Sequence, residues 1–208
     1  CGECIRVCPY HAKTAVTDPL SIIQGFRYKI ALPAPTLFGQ FKNLTNCGKV
    51  IYALRKIGFD EVFEVAQGAD YATQLLKEKL KMPDTKKPLI SSACPAIVRL
   101  IQVRFPNLIE HIVRVESPME IAAQLAKEEF CRSRGVPGEQ VGAFFITPCA
   151  AKMTSIRNPI GKDRSYVDGA ISILDLYGPL SAHMKIPDNS EQMQRASGLG
   201  LSWAITSG

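Results

Sequence analysis

No stretch of this 208-residue chain is apolar for long enough to cross a bilayer, and no signal-peptide layout opens it. A membrane span is therefore excluded. The missing signal says little about export. The chain starts inside a cysteine motif without Met and stops at Ser207-Gly208 with no sign of a natural end, so a fragment cut at both ends is expected. Interleaved aromatic and basic residues are lacking too, so the net charge of +6 does not point to nucleic acid. The basic residues are densest at Lys77, Lys79, Lys81, Lys86 and Lys87, which reads as a solvated helix face and the loop after it. The other reading is a docking patch for an acidic redox protein. The glycines near Ser197-Gly198-Leu199-Gly200 are followed by no Lys-Ser/Thr pair, which argues against a phosphate loop. Histidine is sparse: His11 reads as a loop residue, His111 as structural and His183 as a helix cap. Disorder is excluded by a hydrophobic content of 46%, enough for a sizeable core.

Cysteine is not sparse. There are seven, an odd number, and three crowd into the first eight residues. That pattern argues for metal ligation in a reducing, cytoplasmic compartment rather than disulfides. Cys1-Gly2-Glu3-Cys4-Ile5-Arg6-Val7-Cys8-Pro9 is C-x2-C-x3-C-P, the last three-quarters of the bacterial 4Fe-4S ferredoxin run. Structural zinc is the alternative, but it usually pairs two C-x2-C knuckles, and no second knuckle exists. Cys47 and Cys131 are isolated and read as core thiols.

Strand-like and helix-like runs alternate along the rest. Strands are expected at Tyr28–Leu32, Val62–Val65 and Leu89–Ser91, and another run begins at Val141. Helices are expected over Val50–Ile57, Tyr71–Leu80, the stretch after Pro95, the stretch after Pro118, and Ile173–Met184. This alternation indicates an α/β layered domain with a largely parallel sheet. Ligands in such sheets gather beyond the carboxyl ends of strands. Two cysteines fall there, each beside a proline: Cys94 in Ser91-Ser92-Ala93-Cys94-Pro95, and Cys149 in Thr147-Pro148-Cys149-Ala150-Ala151-Lys152. Both sit where orphan N–H groups and a positive helix end suit an anionic sulfur. From spacing alone they are either two buried structural thiols or two ligands of one soft metal or cluster.

The wording of these motifs resembles FeFe hydrogenases. Ser91-Ser92-Ala93-Cys94-Pro95 is similar to the family's first signature, Thr-Ser-Cys-Cys-Pro, and Thr147-Pro148-Cys149-Ala150-Ala151-Lys152 to its second, Met-Pro-Cys-x-x-Lys-x-x-Glu. Glu116-Ser117-Pro118-Met119 resembles the intervening Lys-Ser-Pro segment. Ala53–Asp60 with Gly68-Ala69-Asp70 resembles the run before the first signature, Ala34-Pro35-Thr36 the cluster-lining Ala-Pro-Ser, and Trp203–Gly208 a Gly-Ala-Thr-Gly-Gly stretch. The resemblance runs from about Tyr28 to Gly208. It implies a ferredoxin-type tail and connector at 1–24, followed by the first part of a hydrogenase-like domain at 25–208. That domain would be two-lobed, with lobe one at about 25–135, lobe two from about 136, and the cluster site in the cleft between them. Cys94 and Cys149 would be two ligands of a 4Fe-4S cube, and Cys1, Cys4 and Cys8 would ligate clusters of the tail. Ala34, Pro35, Thr36 and Ala93 would line the diiron part of the H-cluster, and Lys152 would contact its cyanide. The signature with the remaining ligands is absent and is expected beyond Gly208.

The departures are as informative. The family's proton-carrying cysteine falls at Ala93, which has no titratable group. The acid three places after the lysine falls at Ser155, and the glutamates after the Ala-Asp pair fall in Tyr71–Leu76, which has none. This resembles the sensory-type branch, and implies a hydrogen- or redox-sensing iron–sulfur oxidoreductase of slow turnover, with molecular hydrogen and a ferredoxin-like electron-transfer partner. The rivals are a non-catalytic cluster scaffold of the Nar type and a plain electron-transfer module.

Overall fold

Val141–Thr147 forms a strand in which every residue is buried. A strand hidden on both faces belongs in the middle of a covered parallel sheet, and that is where it lies. The computed structural model describes residues 3–12, 14–42, 44, 46–83, 85–184 and 196–203. In chain order these form α1 (Glu3–Arg6), β1 (Tyr28–Pro33), α2 (Gly48–Lys56), β2 (Glu61–Val62), α3 (Val65–Lys81), α4 (Pro95–Arg104) and α5 (Pro118–Arg134). They continue with β3 (Val141–Thr147), α6 (Ala150–Arg157), β4 (Gly169–Ser172), α7 (Ile173–His183) and α8 (Gly198–Ser202). Short 3-10 turns at Leu20–Gly25, Pro35–Gln40 and Pro106–His111 join some of them.

The sheet order is β2-β1-β3-β4, all parallel. Alternate side chains enter two separate cores. Ile30, Leu32, Val141, Ala143 and Phe145 meet α5 and α6 through Met119, Ala122, Ala126, Met153 and Ile156. Ala31, Phe144, Ile146 and Ile171 point the other way, onto Val50, Leu54, Leu176 and Leu180 of α2 and α7. The result is three layers, helix–sheet–helix, as the strand–helix alternation led one to expect.

Two expectations need correction. The strand expected at Leu89–Ser91 is a single parallel bridge, Ile90 to Ile112, outside the sheet. Pro88 removes a donor on one side and the α4 start at Pro95 ends the run on the other, so no ladder can grow. The strand at Val62–Val65 shrinks to Glu61–Val62, because Val65 is already the first buried residue of α3. Strands on either side of residue 136 share one sheet. β3, after it, pairs with β1, before it, over Tyr28↔Val141 to Pro33↔Ile146.

The connector before β1 is also part of this body. Ile23 is buried in the α2/α7 core. Asp18 accepts a hydrogen bond from Ala170 N (2.8 Å), and its own N–H donates to Ala170 O (2.8 Å). Asp18 further pairs with Arg157 at the end of α6 (2.5 Å).

α3 crosses α5 at one tight point. A Cβ added at Gly68 would stand 2.2 Å from Pro118 O and 2.9 Å from Ala122 N. Both are backbone atoms, so no rotamer change relieves the overlap. Gly68→Ala gains helix propensity of about 1 kcal/mol, yet it must push two helices apart. We expect a net loss of roughly 1–3 kcal/mol. In urea unfolding this would appear as a lowered midpoint with an unchanged slope; an unchanged or raised midpoint would show that the crossing yields.

Candidate metal centre

From β1 the chain moves to β2 on one side, and later returns to lay β3 on the other. The carboxyl ends of β1 and β3 therefore flank a topological switch point, where the connections diverge and leave a crevice. Two of the sequence-predicted segments lie at this edge. After β1 come Ala34, Pro35 and Thr36. Ala34 is held to the neighbouring strand by its N–H donating to Ile146 O (3.0 Å), and Pro35 opens the 3-10 turn. Thr36 Oγ1 is buried and has no hydrogen-bond partner among the described residues. After β3 come Thr147, Pro148 and Cys149. Cys149 is 9% exposed, and its N–H donates to Thr147 Oγ1 (3.2 Å).

Cys149 caps α6 and Cys94 caps α4, in nearly the same backbone conformation: φ −93°, ψ 104° and φ −103°, ψ 104°. Each carbonyl accepts the first bond of its helix, from Met153 N and Val98 N (both 3.1 Å). Both thiols are free, Cys149 buried and Cys94 half-buried. α4 leans on α6, and a cavity of about 200 Å³ between them is lined by Pro95, Ala96 and Arg99 from one and Ala151, Thr154 and Ser155 from the other. The first turns after the two cysteines thus share one cavity. Lys152, on the same first turn as Ala151, is half-buried and has no hydrogen bond or ion pair among the described residues. Ala93 is half-buried beside Cys94, with its N–H donating to Ser91 Oγ (3.3 Å).

Cys1 lies outside the described residues, as does the side chain of Cys4, while Cys8 is half-buried. The stretch after Trp203 also lies outside. Among the described residues, no three His, Cys, Asp or Glu side chains are grouped to hold a metal ion. Cys47 and Cys131, expected in the core, are each half-buried. Burial pushes the Cys47 thiol up, helped by the Glu64 carboxylate.

One polar cluster escaped the sequence reading. A second cavity, of about 550 Å³, runs from Ser92 and Pro95 to Ser117, Glu120, Ile160 and Lys162. Glu120 is 4% exposed, in the first turn of α5. It accepts from Ser165 Oγ (2.6 Å), Tyr166 N (2.8 Å) and Lys162 Nζ (2.9 Å). Lys162 also reaches Glu116 (3.0 Å) and stands over the Tyr166 ring (4.9 Å). Ser117 Oγ is buried without a partner among the described residues. An acid within the apolar stripe of α5 was the available signal for Glu120. Lys162 comes from a loop and left none.

Comparison with known proteins adds the following. Residues 27–208 match the family model described as iron only hydrogenase large subunit, C-terminal domain. The NADP-reducing hydrogenase subunit HndD of Solidesulfovibrio fructosivorans is 25% identical over 179 residues, 76% of this chain and 31% of that protein. Iron hydrogenase 1 of Clostridium pasteurianum is 26% identical over 203 residues, 88% of this chain and 35% of that protein. The cytosolic Fe-S cluster assembly factor nar1 of Aspergillus terreus is 32% identical over 85 residues, 40% of this chain and 14% of that protein. Among solved structures, a variant of the FeFe-hydrogenase HydA1 from Chlamydomonas reinhardtii superposes with a TM-score of 0.60 at 20% identity. It covers 83% of this chain and 48% of its own. The chain spans about a third of the length of the two hydrogenase relatives.

Burial alone would lower the Lys162 value, but its hydrogen bonds to Glu120 and Glu116 outweigh it and hold the ammonium above its ordinary range. A value raised in the folded state stabilises fully below the unfolded value, about pH 10.4, and is lost as pH climbs through the folded one. Stability should therefore fall off on the alkaline side. Lys162→Met should remove that part of the fall and, by leaving Glu120 buried without its cation, cost roughly 3 kcal/mol at neutral pH. Thermal melts of both chains from about pH 7 to pH 11 test this; parallel curves would show that Lys162 is not the titrating group.

Proposed function

The chain belongs to the iron-only hydrogenase large-subunit family, within its C-terminal domain, and from that membership we propose a hydrogen- or redox-sensing iron–sulfur protein of slow turnover. We assign residues 1–24 to the end of a 4Fe-4S ferredoxin-type module and its connector, and 25–208 to the first part of the hydrogenase-like domain. Reduced thiols suit a cytoplasmic setting. A ferredoxin-like carrier would exchange electrons through the Cys1, Cys4 and Cys8 clusters.

The observation that carries the reading is the Thr36 hydroxyl, without a partner among the described residues, at the switch point beside the strand that leads to Cys149. A buried hydroxyl without a partner costs about 1–3 kcal/mol, and a ligand group with acceptor atoms relieves that. The donor set fits such a group. Cys94 and Cys149 would hold the cube, and Thr36 and Lys152 would donate to acceptor ligands of the diiron unit. When bound, that unit supplies the activation of hydrogen and the cube passes the electrons. Lys152 has three donors free for the purpose. Ala34 and Pro35 offer only apolar contact and a backbone without a competing side-chain donor. Ala93 places a methyl group where a proton carrier would be needed, so it can exclude water but cannot pass a proton.

A Nar-type scaffold is the second reading, favoured by the 32% identity to the Aspergillus terreus assembly factor. Infrared spectra of the full-length, maturated protein separate the two. The first reading expects carbon monoxide and cyanide bands; a protein with cube iron but no such bands would be a scaffold.

Turnover gives a further check. Proton transfer by a placed side chain contributes about 10²–10⁴-fold to rate. Hydrogen evolution from a reduced dye should be slower than in enzymes with the cysteine by about that factor, and Ala93→Cys should recover part of it. A wild-type rate equal to that of relay-intact hydrogenases would end the sensory reading.

A further inference from the structure

The connector before β1 has a direction that matters for the candidate centre. Thr17 Oγ1 donates to the Asp175 carboxylate (3.4 Å), and Asp175 lies in the first turn of α7, just past the carboxyl end of β4. Asp18 sits beside Ala170, the second residue of β4. Further on, Tyr28 opens β1 opposite Val141, the first residue of β3. The connector therefore runs against the strands, from the carboxyl edge of the sheet to its amino edge. Its cysteine-bearing side enters at the edge where Thr36 and Cys149 lie.

Asp18 holds the connector there. Its N–H donates to Ala170 O and its Oδ2 accepts from Ala170 N (both 2.8 Å). Its other oxygen, Oδ1, pairs with Arg157 Nη2 (2.5 Å). One side chain, 15% exposed, thus ties the connector both to β4 and to the end of α6, the helix that Cys149 caps. The fit is close. A Cβ added at Gly169 would stand 3.0 Å from Ile22 Cδ1 and 3.3 Å from Asp18 Oδ2. A plain fold anchor would also take the form of an ion pair, and Asp168 with Lys127 is one. Asp168 joins segments within the domain, however. Asp18 joins the domain to the segment that carries Cys8, ten positions earlier.

We propose that Asp18 is the positioning residue for electron entry, fixing where the cysteine-rich tail stands relative to the cube of Cys94 and Cys149. The step concerned is the passage of one electron from a reduced tail cluster to the oxidised cube, with no bond made or broken. The inference rests on the assignment of residues 1–24 to a cluster-bearing tail and connector; it does not need the diiron unit. The tether sets the size of the effect. Clamped at Asp18, the tail hangs ten positions from Cys8. Without the clamp the next firm anchor is Ile23, buried in the α2/α7 core and fifteen positions from Cys8. Effective concentration falls roughly as the −3/2 power of tether length, so length alone gives a loss of about twofold. Loss of direction adds to it, because the clamp also sets the edge at which the tail enters.

The test uses the full-length protein with its clusters. A flash-reduced deazaflavin supplies electrons, and rapid-freeze EPR follows the tail signal fading as the cube signal grows. Asp18→Ala should slow this transfer at least about twofold and leave both cluster potentials unchanged. Arg157→Met keeps the two bonds to Ala170 and should slow it by a smaller factor; it carries the test where Asp18→Ala fails to retain its clusters. Adding Arg157→Met to Asp18→Ala should slow it no further, since the pair is already broken. Asp168→Ala opens the clamp between β3 and α5 and is the control: its thermal midpoint should fall while the transfer rate stays. A wild-type rate in Asp18→Ala, or in Arg157→Met where that variant stands in for it, would overturn the proposal. Equal slowing by Asp168→Ala would overturn it too, since general loosening would then be the cause. A tail with no iron–sulfur EPR signal would overturn the assignment of residues 1–24 and this role together. A clamp-dependent rate without carbon monoxide and cyanide bands would end the hydrogen-sensing reading and keep the role of Asp18; bands with a clamp-independent rate would do the reverse.

Discussion

Everything near the candidate centre depends on one parallel ladder, the pairing of β1 with β3 from Tyr28↔Val141 to Pro33↔Ile146. Parallel strands cannot be joined by a tight turn and need a crossover. Here the crossover is most of the molecule, since α2, β2, α3, α4 and α5 all lie between the two strands in sequence. The ladder brings residues more than a hundred positions apart to one edge. Because both strands point the same way, both chain exits, Ala34-Pro35-Thr36 and Thr147-Pro148-Cys149, leave from that edge. Long-range parallel pairing yields its benefit only after the whole intervening chain is closed, so this edge cannot be assembled piecemeal.

Carboxylates complete what the ladder starts. Asp18 accepts from Ala170 N and pairs with Arg157. Asp168 accepts from Ala143 N (2.8 Å) and pairs with Lys127 (2.6 Å). Glu120 accepts from Tyr166 N and pairs with Lys162. In each case an acid satisfies a backbone N–H that regular pairing leaves over, and a cation from another element neutralises it. Such pairs add little stability over an apolar replacement, but losing one partner is costly, so they fix which segments meet. The contacts run from the connector through β4 to α6, so the chain just after the cysteine-rich start is tied to the helix that Cys149 caps.

The sequence made some of this legible and not the rest, for physical reasons. Continuous apolar runs such as Val141–Ile146 announce a strand buried on both faces, and Pro95 and Pro118 announce helix starts. Those signals are local. The ladder of β1 with β3 is not local, and neither is the switch point, so nothing in the residue pattern showed that strands on either side of residue 136 share one sheet. Ile90 looked like part of a strand because apolar composition is the same for a ladder and for one bridge. Cys94 and Cys149 could be singled out from motif wording, and the structure gives them twin helix-capping geometries. Whether Thr36 had a partner could not be read from Ala-Pro-Thr, since an orphaned hydroxyl is defined by what fails to surround it. Lys162 was invisible because its role depends on two acids 42 and 46 positions earlier meeting it in space.

The polar side chains near the centre divide into those that are free to act and those already engaged. Thr36 Oγ1 and Ser117 Oγ are buried without partners, and Lys152 has no ion pair among the described residues. These are donors, suited to holding a group that accepts. The acids on the wall of the larger cavity are engaged: Glu120 has three donors on its two oxygens, and Glu116 shares its lysine. Ser92 is engaged too, with Oγ donating to Val115 O (2.6 Å). Ala93, beside Cys94, has a side chain with nothing to give or take. Free donors beside engaged acids, among the described residues, are the arrangement that the proposed ligand-holding role calls for.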